Sequence, residues 1–230
     1  MPETRATART TAGILLDIEA VLFRPEDPFV LTSGRASPVY VDCRRIISFP
    51  RARSRIMELA VELIEREIGL DLIDVVAGGE TAGIPFAAWI AERLDKPMIY
   101  VRKKPKGFAR DAQIEGAFAD GARVLLVEDL ATDGGSKLNF VEAIRKAGGE
   151  IGHAFVIFHY GIFPQGVAAL AERGVALHAL ATWRDALGVA ERRGYLEPEG
   201  LAQVRAFLDD PEAWSARHGG KTRAGLASGR

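Results

Sequence analysis

Two adjacent acids followed by a glycine-rich turn are the residues of this 230-residue chain that best combine reactive groups with a meaningful spacing. Glu128 and Asp129 come directly after the apolar run Val124–Val127, and the stretch Thr132–Ser136 adds two hydroxyls and two adjacent glycines. Such a turn presents several backbone N–H groups at the start of a helix, where they bind phosphate. The acids cannot face that same phosphate and need hydrogen-bond donors such as sugar hydroxyls. A phosphorylated ribose satisfies both requirements.

Other ligand-binding loops do not fit this spacing. A P-loop requires Gly-Lys followed by Ser or Thr, whereas here Ser136 precedes Lys137. A calcium loop that began at Asp129 would have Ala131 at its third position and Phe140 at its twelfth, where oxygen ligands are required. The plainer alternative is that the two acids only cap a turn, as Asp and Gly often do at strand ends.

A basic loop supplies the second set of residues that could do chemistry. It follows the apolar run Met98–Val101, and its Pro and Gly residues disfavour a helix. It places five cations within nine residues: Arg102, Lys103, Lys104, Lys106 and Arg110. Cations at such a position stabilise a leaving group that gains negative charge. The alternative is an ordinary solvated surface loop.

The order of the predicted elements brings these loops to one edge of a sheet. Apolar, β-branched runs predict strands at Ile73–Ala77, Met98–Val101, Val124–Val127, Ala154–Phe158 and Ala176–Leu180. Helical spacing predicts helices over Thr11–Phe23, from Pro50 to Gly69, and over Ile84–Leu94, Gly135–Ala147, Pro164–Arg173, Thr182–Arg193 and Pro198–Leu208. The alternation indicates an α/β fold with a mainly parallel sheet, in which ligands bind beyond the carboxyl ends of the strands.

At these residues the sequence resembles a known family. The pattern Glu-Asp-x-x-Thr-x-Gly-Gly-Ser over residues 128–136 resembles the phosphoribosyl-diphosphate (PRPP) signature of type I phosphoribosyltransferases. Three further segments narrow the resemblance to orotate phosphoribosyltransferases: Leu31–Asp42, similar to a substrate segment; Ala77–Pro85, similar to a diphosphate loop; and Tyr100–Gly116, similar to a mobile catalytic loop. The resemblance implies a type I phosphoribosyltransferase fold, with a mainly parallel central sheet, flanking helices and a small hood.

The resemblance also implies roles for individual residues. The catalytic residues would be Arg102, Lys103, Lys106 and Asp129. The PRPP-binding residues would be Gly79, Glu80, Thr81, Glu128, Asp129, Leu130, Ala131, Thr132, Asp133, Gly134, Gly135 and Ser136. The orotate-binding residues would be Thr32, Tyr40, Thr132 and Tyr160. Tyr40 could stack on the pyrimidine ring, while Arg35 or backbone groups address its polar edges.

The cofactor and partners follow from the same resemblance. Mg²⁺ would chelate the diphosphate and the ribose hydroxyls, and we predict no direct protein ligand for it, because Mg²⁺ keeps much of its water. The substrates would be PRPP and orotate, and the products orotidine 5′-monophosphate and diphosphate. The chain would form a homodimer in which the catalytic loop reaches the site of the neighbouring subunit. Closure of that loop would exclude water from a reactive ribosyl centre.

The sequence departs from the family pattern at several charged positions. Phe108 and Ala109 stand where the loop usually has His and Gly. Thr32, Ala82 and the segment Phe158–Tyr160 stand where many members have Lys, Lys and an orotate-contacting Arg. Two alternatives therefore remain open: a phosphoribosyltransferase for another base, and a PRPP-sensing regulator without catalysis.

Composition narrows the class of protein and the location that the chain can have. The 30 basic and 31 acidic residues give a formal net charge of −1, which excludes a globally basic nucleic-acid-binding protein. No apolar run approaches the roughly 18–20 residues of a membrane helix. Cys43 is the only cysteine, so a reducing, cytoplasmic location is expected. We predict one domain over residues 1–218, in which residues 1–45 and about 160–215 form the hood and edge helices, and a disordered tail over 219–230.

Overall fold

The computed structural model describes residues 2–107, 113–132 and 135–221. The helices are α1 (Pro2–Asp17), α2 (Pro50–Glu67), α3 (Gly83–Leu94), α4 (Gly135–Lys146), α5 (Pro164–Ala171), α6 (Trp183–Arg192), α7 (Pro198–Asp209) and α8 (Pro211–Arg217). The strands are β1 (Val21–Phe23), β2 (Phe29–Val30), β3 (Ala36–Ser37), β4 (Val39–Val41), β5 (Val75–Gly79), β6 (Met98–Val101), β7 (Ile114–Glu115), β8 (Arg123–Ala131), β9 (Glu150–His159) and β10 (Ala176–Thr182). Cys43–Ser48 and Leu70–Leu72 form short 3₁₀ helices.

A six-stranded sheet in the order β10-β9-β8-β5-β6-β7 forms the centre of the molecule. The first five of these strands run parallel, and the short β7 joins the edge antiparallel to β6. The carboxyl ends of β5, β6, β8 and β9 therefore open on one edge, which confirms the α/β class predicted from the alternation of strand and helix patterns.

Both faces of the sheet are covered, which explains why its central strands are apolar almost throughout. Leu125 and Val127 of β8 pack in a core with α1, α2, α3 and α6 on one face. Val124 and Leu126 point to the opposite face and pack with α4 and α5. Because side chains alternate along a strand, the acids that continue β8 also point to opposite faces.

Two short antiparallel strand pairs lie outside the central sheet. β1 pairs with β4, and β2 pairs with β3. Helix α8 packs on β3, where Ser215 Oγ accepts a hydrogen bond from the Ala36 N–H at 3.0 Å. Ser215 Oγ donates in turn to the Lys221 carbonyl at 3.1 Å, and the Lys221 N–H donates to the Gly34 carbonyl at 2.8 Å.

The N-terminal helix differs from the prediction. Helix α1 begins at Pro2 and ends at Asp17, and Val21–Phe23 is a strand instead of the last helical turn. Glu19 takes a φ of 55°, which stops the helix, and the β-branched and aromatic residues that follow pair with β4. A short apolar run fits helical and extended spacing equally well, so the sequence alone did not reveal this pairing. Helix α2 begins at Pro50 as predicted.

The C-terminal segment also differs from the prediction in its first residues. Gly219–Lys221 were expected to belong to a disordered tail, but they follow α8 and hydrogen-bond to Ser215 and Gly34. A Cβ on Gly220 would collide with the Ala36 N atom and with Ser215 Oγ, so only glycine fits there. The rest of the predicted tail, residues 222–230, lies outside the described residues.

Across the ranges that the structure describes, no helix combines the length and the apolar character required to cross a membrane.

Candidate active site

Four segments that are distant in sequence line one cavity at the carboxyl edge of the sheet. The cavity has a volume of about 460 Å³. It is lined by Arg44, Ile47, Glu80, Thr81, Ala82, Pro85, Lys103, Glu128 and Asp129. The predicted diphosphate loop after β5, the start of the basic loop after β6 and the paired acids of β8 therefore meet, as their positions at parallel strand ends require. The peptide bond between Glu80 and Thr81 is cis.

Two glycines make room for the Glu128 side chain. A Cβ on Gly79, the last residue of β5, would overlap Glu128 Oε1, and a Cβ on Gly83, the first residue of α3, would lie 3.1 Å from the same oxygen. Phe140 of α4 packs against the same space, since a Cβ on Gly79 would lie 2.7 Å from its Cε2. The glycines of the predicted diphosphate loop thus allow a carboxylate to lie between β5, β8 and α4.

Lys137 lies beside Glu128 and is almost fully buried, with 2% of its surface exposed. It belongs to the first turn of α4, and its Nζ donates to the Leu130 carbonyl at 2.6 Å. The same Nζ is 3.5 Å from Glu128 Oε2. A buried ammonium is tolerated only when it is paired and hydrogen-bonded, and the carboxylate and the carbonyl meet that condition. In the sequence Lys137 only excludes a P-loop, and its contact with Glu128 was not predicted.

Burial raises the pKa of both acids. The pKa of Glu128 is about 7, because desolvation outweighs the opposing charge of Lys137. The repulsion of Asp129 adds to this rise, and Lys103 acts against it. Burial also raises the pKa of Asp129, against the charges of Lys137 and Arg44. Glu128 therefore changes its charge near neutral pH.

Asp129 shares the first cavity with Arg44, whose charge acts on its carboxylate. Arg44 lies in the 3₁₀ helix that follows β4, and its Nε donates to Asp42 Oδ1 at 3.0 Å. This places a guanidinium in the same cavity as the paired acids and the diphosphate loop. Arg44 was not predicted from the sequence, although the Arg44-Arg45 pair lies one residue beyond the segment Leu31–Asp42.

The start of the basic loop is fixed by hydrogen bonds. The Arg102 N–H donates to the Gln113 carbonyl at 2.8 Å, and Gln113 Nε2 donates to the Arg102 carbonyl at 2.9 Å, so the two ends of the loop lie side by side. The Lys103 N–H donates to Glu80 Oε2 at 2.7 Å, and Asn139 Nδ2 donates to the Lys103 carbonyl at 2.9 Å.

The outer part of the loop is solvated as far as the structure describes it. Arg102 is half-buried and its Nη1 lies 3.3 Å from Glu115 Oε1, whereas Lys104 and Lys106 are exposed. Three further residues of the loop lie outside the described residues: Arg110, one of its five cations, and Phe108 and Ala109, where it departs from the family pattern.

The structure also contains a second cavity, of about 310 Å³. It is lined by Leu31, Thr32, Ser33, Arg35, Thr132, Tyr160 and Phe163. Thr32, Thr132 and Tyr160, three of the predicted orotate-binding residues, therefore lie together. They come from the segment before β3, the end of β8 and the residue after β9, respectively.

Aromatic rings form the floor of this second cavity. Tyr160 is 5% exposed, and its ring stacks on Phe163 with the centroids 6.2 Å apart. Trp183 packs edge-on against Tyr160 at 5.6 Å and begins α6, as expected for a helix anchor. Burial raises the pKa of Tyr160, so its hydroxyl stays neutral. The fourth predicted orotate contact, Tyr40, lies on β4 with its ring 5.5 Å from that of Phe29, and it does not line this cavity.

The remaining predicted PRPP-binding residues follow one another along β8 and into α4. Leu130 and Ala131 complete the strand, and the Ala131 carbonyl accepts a hydrogen bond from the Tyr160 N–H at 2.8 Å. Asp133 and Gly134 lie outside the described residues, and α4 begins at Gly135, followed by Ser136. The structure therefore places a strand before these residues and a helix after them, in the order that the phosphate hypothesis requires.

The sequence matches known proteins over almost its whole length. The family model described as "Phosphoribosyl transferase domain" matches residues 46–161, which contain both glycine-bearing loops and the basic loop. The fold is that of a type I phosphoribosyltransferase domain. The orotate phosphoribosyltransferase of Dinoroseobacter shibae is 58% identical over 217 residues, which are 94% of this chain and 96% of that protein.

Solved structures agree with this match. Orotate phosphoribosyltransferase from Aeropyrum pernix aligns with a TM-score of 0.69 and 35% identity, over 81% of this chain and 99% of that one. The Mycobacterium tuberculosis enzyme in complex with PRPP aligns with a TM-score of 0.61 and 27% identity, over 78% and 98%. Leishmania donovani UMP synthase aligns with a TM-score of 0.73 and 28% identity over 87% of this chain, which spans 42% of that longer protein. The chain belongs to the orotate phosphoribosyltransferase family.

Proposed function

We propose that the chain transfers the 5-phosphoribosyl group of PRPP to N1 of orotate and releases diphosphate, as a step of pyrimidine nucleotide synthesis. One observation carries the proposal: the two cavities are lined by residues from the same short stretch of chain at the end of β8. Asp129 lines the first cavity and Thr132 the second. Three residues of extended chain span at most about 10 Å, which is the scale of a phosphorylated sugar joined to a base.

The residues of the first cavity suit the diphosphate and the ribose. In the reaction the bond between ribose C1 and the diphosphate oxygen breaks, and the electron pair leaves with the diphosphate. Arg44 and Lys103 supply positive charge where the leaving oxygens gain negative charge. Asp129 accepts hydrogen bonds from the ribose hydroxyls, and the turn that opens α4 binds the 5-phosphate through its N–H groups.

The second cavity suits the base. The N1 nitrogen of orotate donates its electron pair to ribose C1 and releases its proton to water. Thr32 and Thr132 offer hydroxyls to the polar edges of the ring, and the aromatic floor of Tyr160 and Phe163 matches a planar pyrimidine. Closure of the basic loop over both cavities would bring Lys106 to the diphosphate and keep water away from C1.

The polar groups of the first cavity are compatible with a Mg²⁺ ion that enters the site already bound to PRPP. The Glu80 carboxylate accepts from the Lys103 N–H, and the Glu128 carboxylate lies against Lys137, so both are engaged by the protein itself. Within the described ranges no group of three or more His, Cys, Asp or Glu side chains is arranged to hold a metal. We therefore assign the magnesium ligands to diphosphate and ribose oxygens and to water. When bound, Mg²⁺ neutralises part of the charge on the leaving diphosphate.

We further propose that the chain is one catalytic domain that works as a homodimer in the cytoplasm. Ile47 and Phe49 are each 37% exposed at and beside the mouth of the first cavity, an apolar surface that a second subunit would cover. Lys106 is exposed and three residues beyond Lys103, so it can extend toward a neighbouring site. The single cysteine, Cys43, is buried, which suits a reducing compartment.

A direct assay tests the reaction. Purified protein with PRPP, Mg²⁺ and orotate should consume orotate, as followed by its ultraviolet absorbance, and should release diphosphate. Uracil, adenine and guanine in the same assay test the alternative of another base. Folded protein that binds PRPP but converts none of these bases would contradict the proposal.

A further inference from the structure

Arg35 is the only charged residue that lines the second cavity among the residues that the structure describes. Its side chain is 14% exposed, and its guanidinium carbon lies 4.9 Å from the centre of the Phe163 ring. The other lining residues offer hydroxyls, an aliphatic side chain and aromatic rings. Among the described residues, the only charge in the lining of this cavity is therefore one guanidinium, close to a ring of its aromatic floor.

The hydrogen bonds of Arg35 are incomplete without a ligand. Nη2 donates to the carboxylate of Glu212. Nε is buried and has no hydrogen-bond partner among the described residues. A guanidinium has five N–H donors, and leaving a buried donor unpaired is costly. A second acceptor on the cavity side, after a small adjustment of the side chain, would complete the set.

Glu212 comes from the C-terminal helix α8, which the fold holds firmly against the Arg35 segment. Ser215 of α8 hydrogen-bonds to Ala36 at 3.0 Å, and Lys221 hydrogen-bonds to Gly34 at 2.8 Å. These contacts lie on both sides of Arg35 in the sequence. The C-terminal residues therefore fix where the guanidinium lies.

We propose that Arg35 binds the carboxylate of the base and that Glu212 is a positioning residue that orients its guanidinium. The inference rests on the proposed function and names the group that selects a carboxyl-bearing pyrimidine. A guanidinium that is already paired on one side and lines a cavity with an aromatic floor discriminates strongly between a carboxylate and hydrogen at that ring position. Uracil lacks the carboxylate and would leave the Arg35 donors unpaired.

Steady-state kinetics of four variants test the proposal. Arg35→Met keeps the length of the apolar part of the side chain and removes its charge, Arg35→Lys keeps the charge, and Glu212→Gln removes the orienting carboxylate. Arg184→Met is the matched control, because Arg184 forms an exposed ion pair with Asp209 at 2.9 Å on the surface of α6 and α7. Circular dichroism checks that each variant is folded.

We expect the substitutions to raise the KM for orotate much more than the KM for PRPP. Arg35→Met should raise the KM for orotate roughly 10- to 100-fold, the effect of losing a hydrogen bond to a charged group, while the KM for PRPP changes less than threefold. Arg35→Lys should recover part of the loss, and Glu212→Gln should raise the orotate KM about three- to tenfold. The preference for orotate over uracil, measured in competition for PRPP, should fall in parallel.

Two outcomes would overturn the inference. One is an unchanged orotate KM in folded Arg35→Met, and the other is an equal rise of both KM values, which would indicate a structural role. If Arg35→Met does not fold, the Arg35→Lys and Glu212→Gln results decide. Wild-type protein that does not convert orotate would instead contradict the proposed function, so the two failures are distinguishable.

Discussion

At the scale of single residues, the buried pair Glu128 and Lys137 couples folding to pH. The pKa of Glu128 in the folded chain is about 7, above its ordinary value of 4.5. Between these two pH values the folded chain holds a proton that the unfolded chain releases, so the free energy of unfolding falls as the pH rises through this window. This rise in pKa lowers the free energy of unfolding by roughly 3 kcal/mol from the lower to the upper end of the pH window.

Glu128→Gln tests this coupling, because an amide of the same shape cannot ionise. Urea denaturation at several pH values between 4.5 and 7 should show a decline in the free energy of unfolding that is smaller by up to about 3 kcal/mol than in the wild type. Glu65→Gln, a change at an exposed position of α2, is the control and should leave the decline unchanged. Identical pH profiles for wild type and Glu128→Gln would contradict the prediction.

Asp129 is the residue that we expect to bind the ribose of PRPP. It lines the first cavity together with Arg44, and we expect its carboxylate to accept hydrogen bonds from the ribose hydroxyls. Asp129→Asn keeps the shape but loses the charge, so affinity for PRPP should fall about 10- to 100-fold while the fold stays intact. Calorimetric titration with PRPP and Mg²⁺ measures this loss directly, and an unchanged dissociation constant would refute the role.

At the scale of elements, Asn139 links α4 to the start of the basic loop. Its Nδ2 donates to the Lys103 carbonyl at 2.9 Å, beside the Lys103 N–H bond to Glu80. Asn139→Ala removes one hydrogen bond at an exposed position, so the loop start gains freedom that closure must remove. We expect kcat/KM for PRPP to fall about three- to tenfold.

The stability of Asn139→Ala should change little, because both partners of the lost hydrogen bond are near the surface. Ser54→Ala in α2, which loses an exposed hydrogen bond to Glu58, is the control for a general surface effect. Kinetic constants within twofold of the wild type would show that the contact does not restrain the loop.

The strands and helices of the central sheet could be predicted from the sequence because the residues within and next to each element determine its type. β6 has its predicted bounds, and α3 and α4 begin within one residue of their predicted starts. The apolar runs of a sheet buried on both faces and the glycines and prolines that bound them carry this information. The N-terminal part lacks such signals, because β1 to β4 are two or three residues long and depend on partners elsewhere in the chain.

At the scale of the whole molecule, some residues of the candidate active site could be predicted from the sequence and others could not. The paired acids, the diphosphate loop and the basic loop were found because each lies within one short segment. Lys137 and Arg44 were missed because a buried charge or a shared cavity is a contact between segments, which spacing does not reveal. The pairing of Arg35 with Glu212 joins residues 177 positions apart, so only the folded structure shows it.

The proposed homodimer can be tested by mixing two defective variants. Lys106→Ala damages the loop, and Asp129→Asn damages the ribose site. If each loop serves the neighbouring subunit, a mixed dimer contains one site with an intact Asp129 and an intact incoming Lys106. Random mixing makes half the dimers mixed, each with one intact site of two, so activity should return to about a quarter of the wild-type value.

The mixture must exchange subunits, so the two variants are refolded together from urea, and each variant refolded alone is the control. Each alone should keep at most a few per cent of wild-type activity, because its sites all lack the same group. A double variant carrying both changes, refolded with wild type, should also give mixed dimers, but with no intact site in them. Size-exclusion chromatography with light scattering gives the oligomeric state in parallel. A dimer whose mixed activity stays at the level of the separate variants would mean that Lys106 serves its own subunit, and a monomer would contradict the proposed assembly itself.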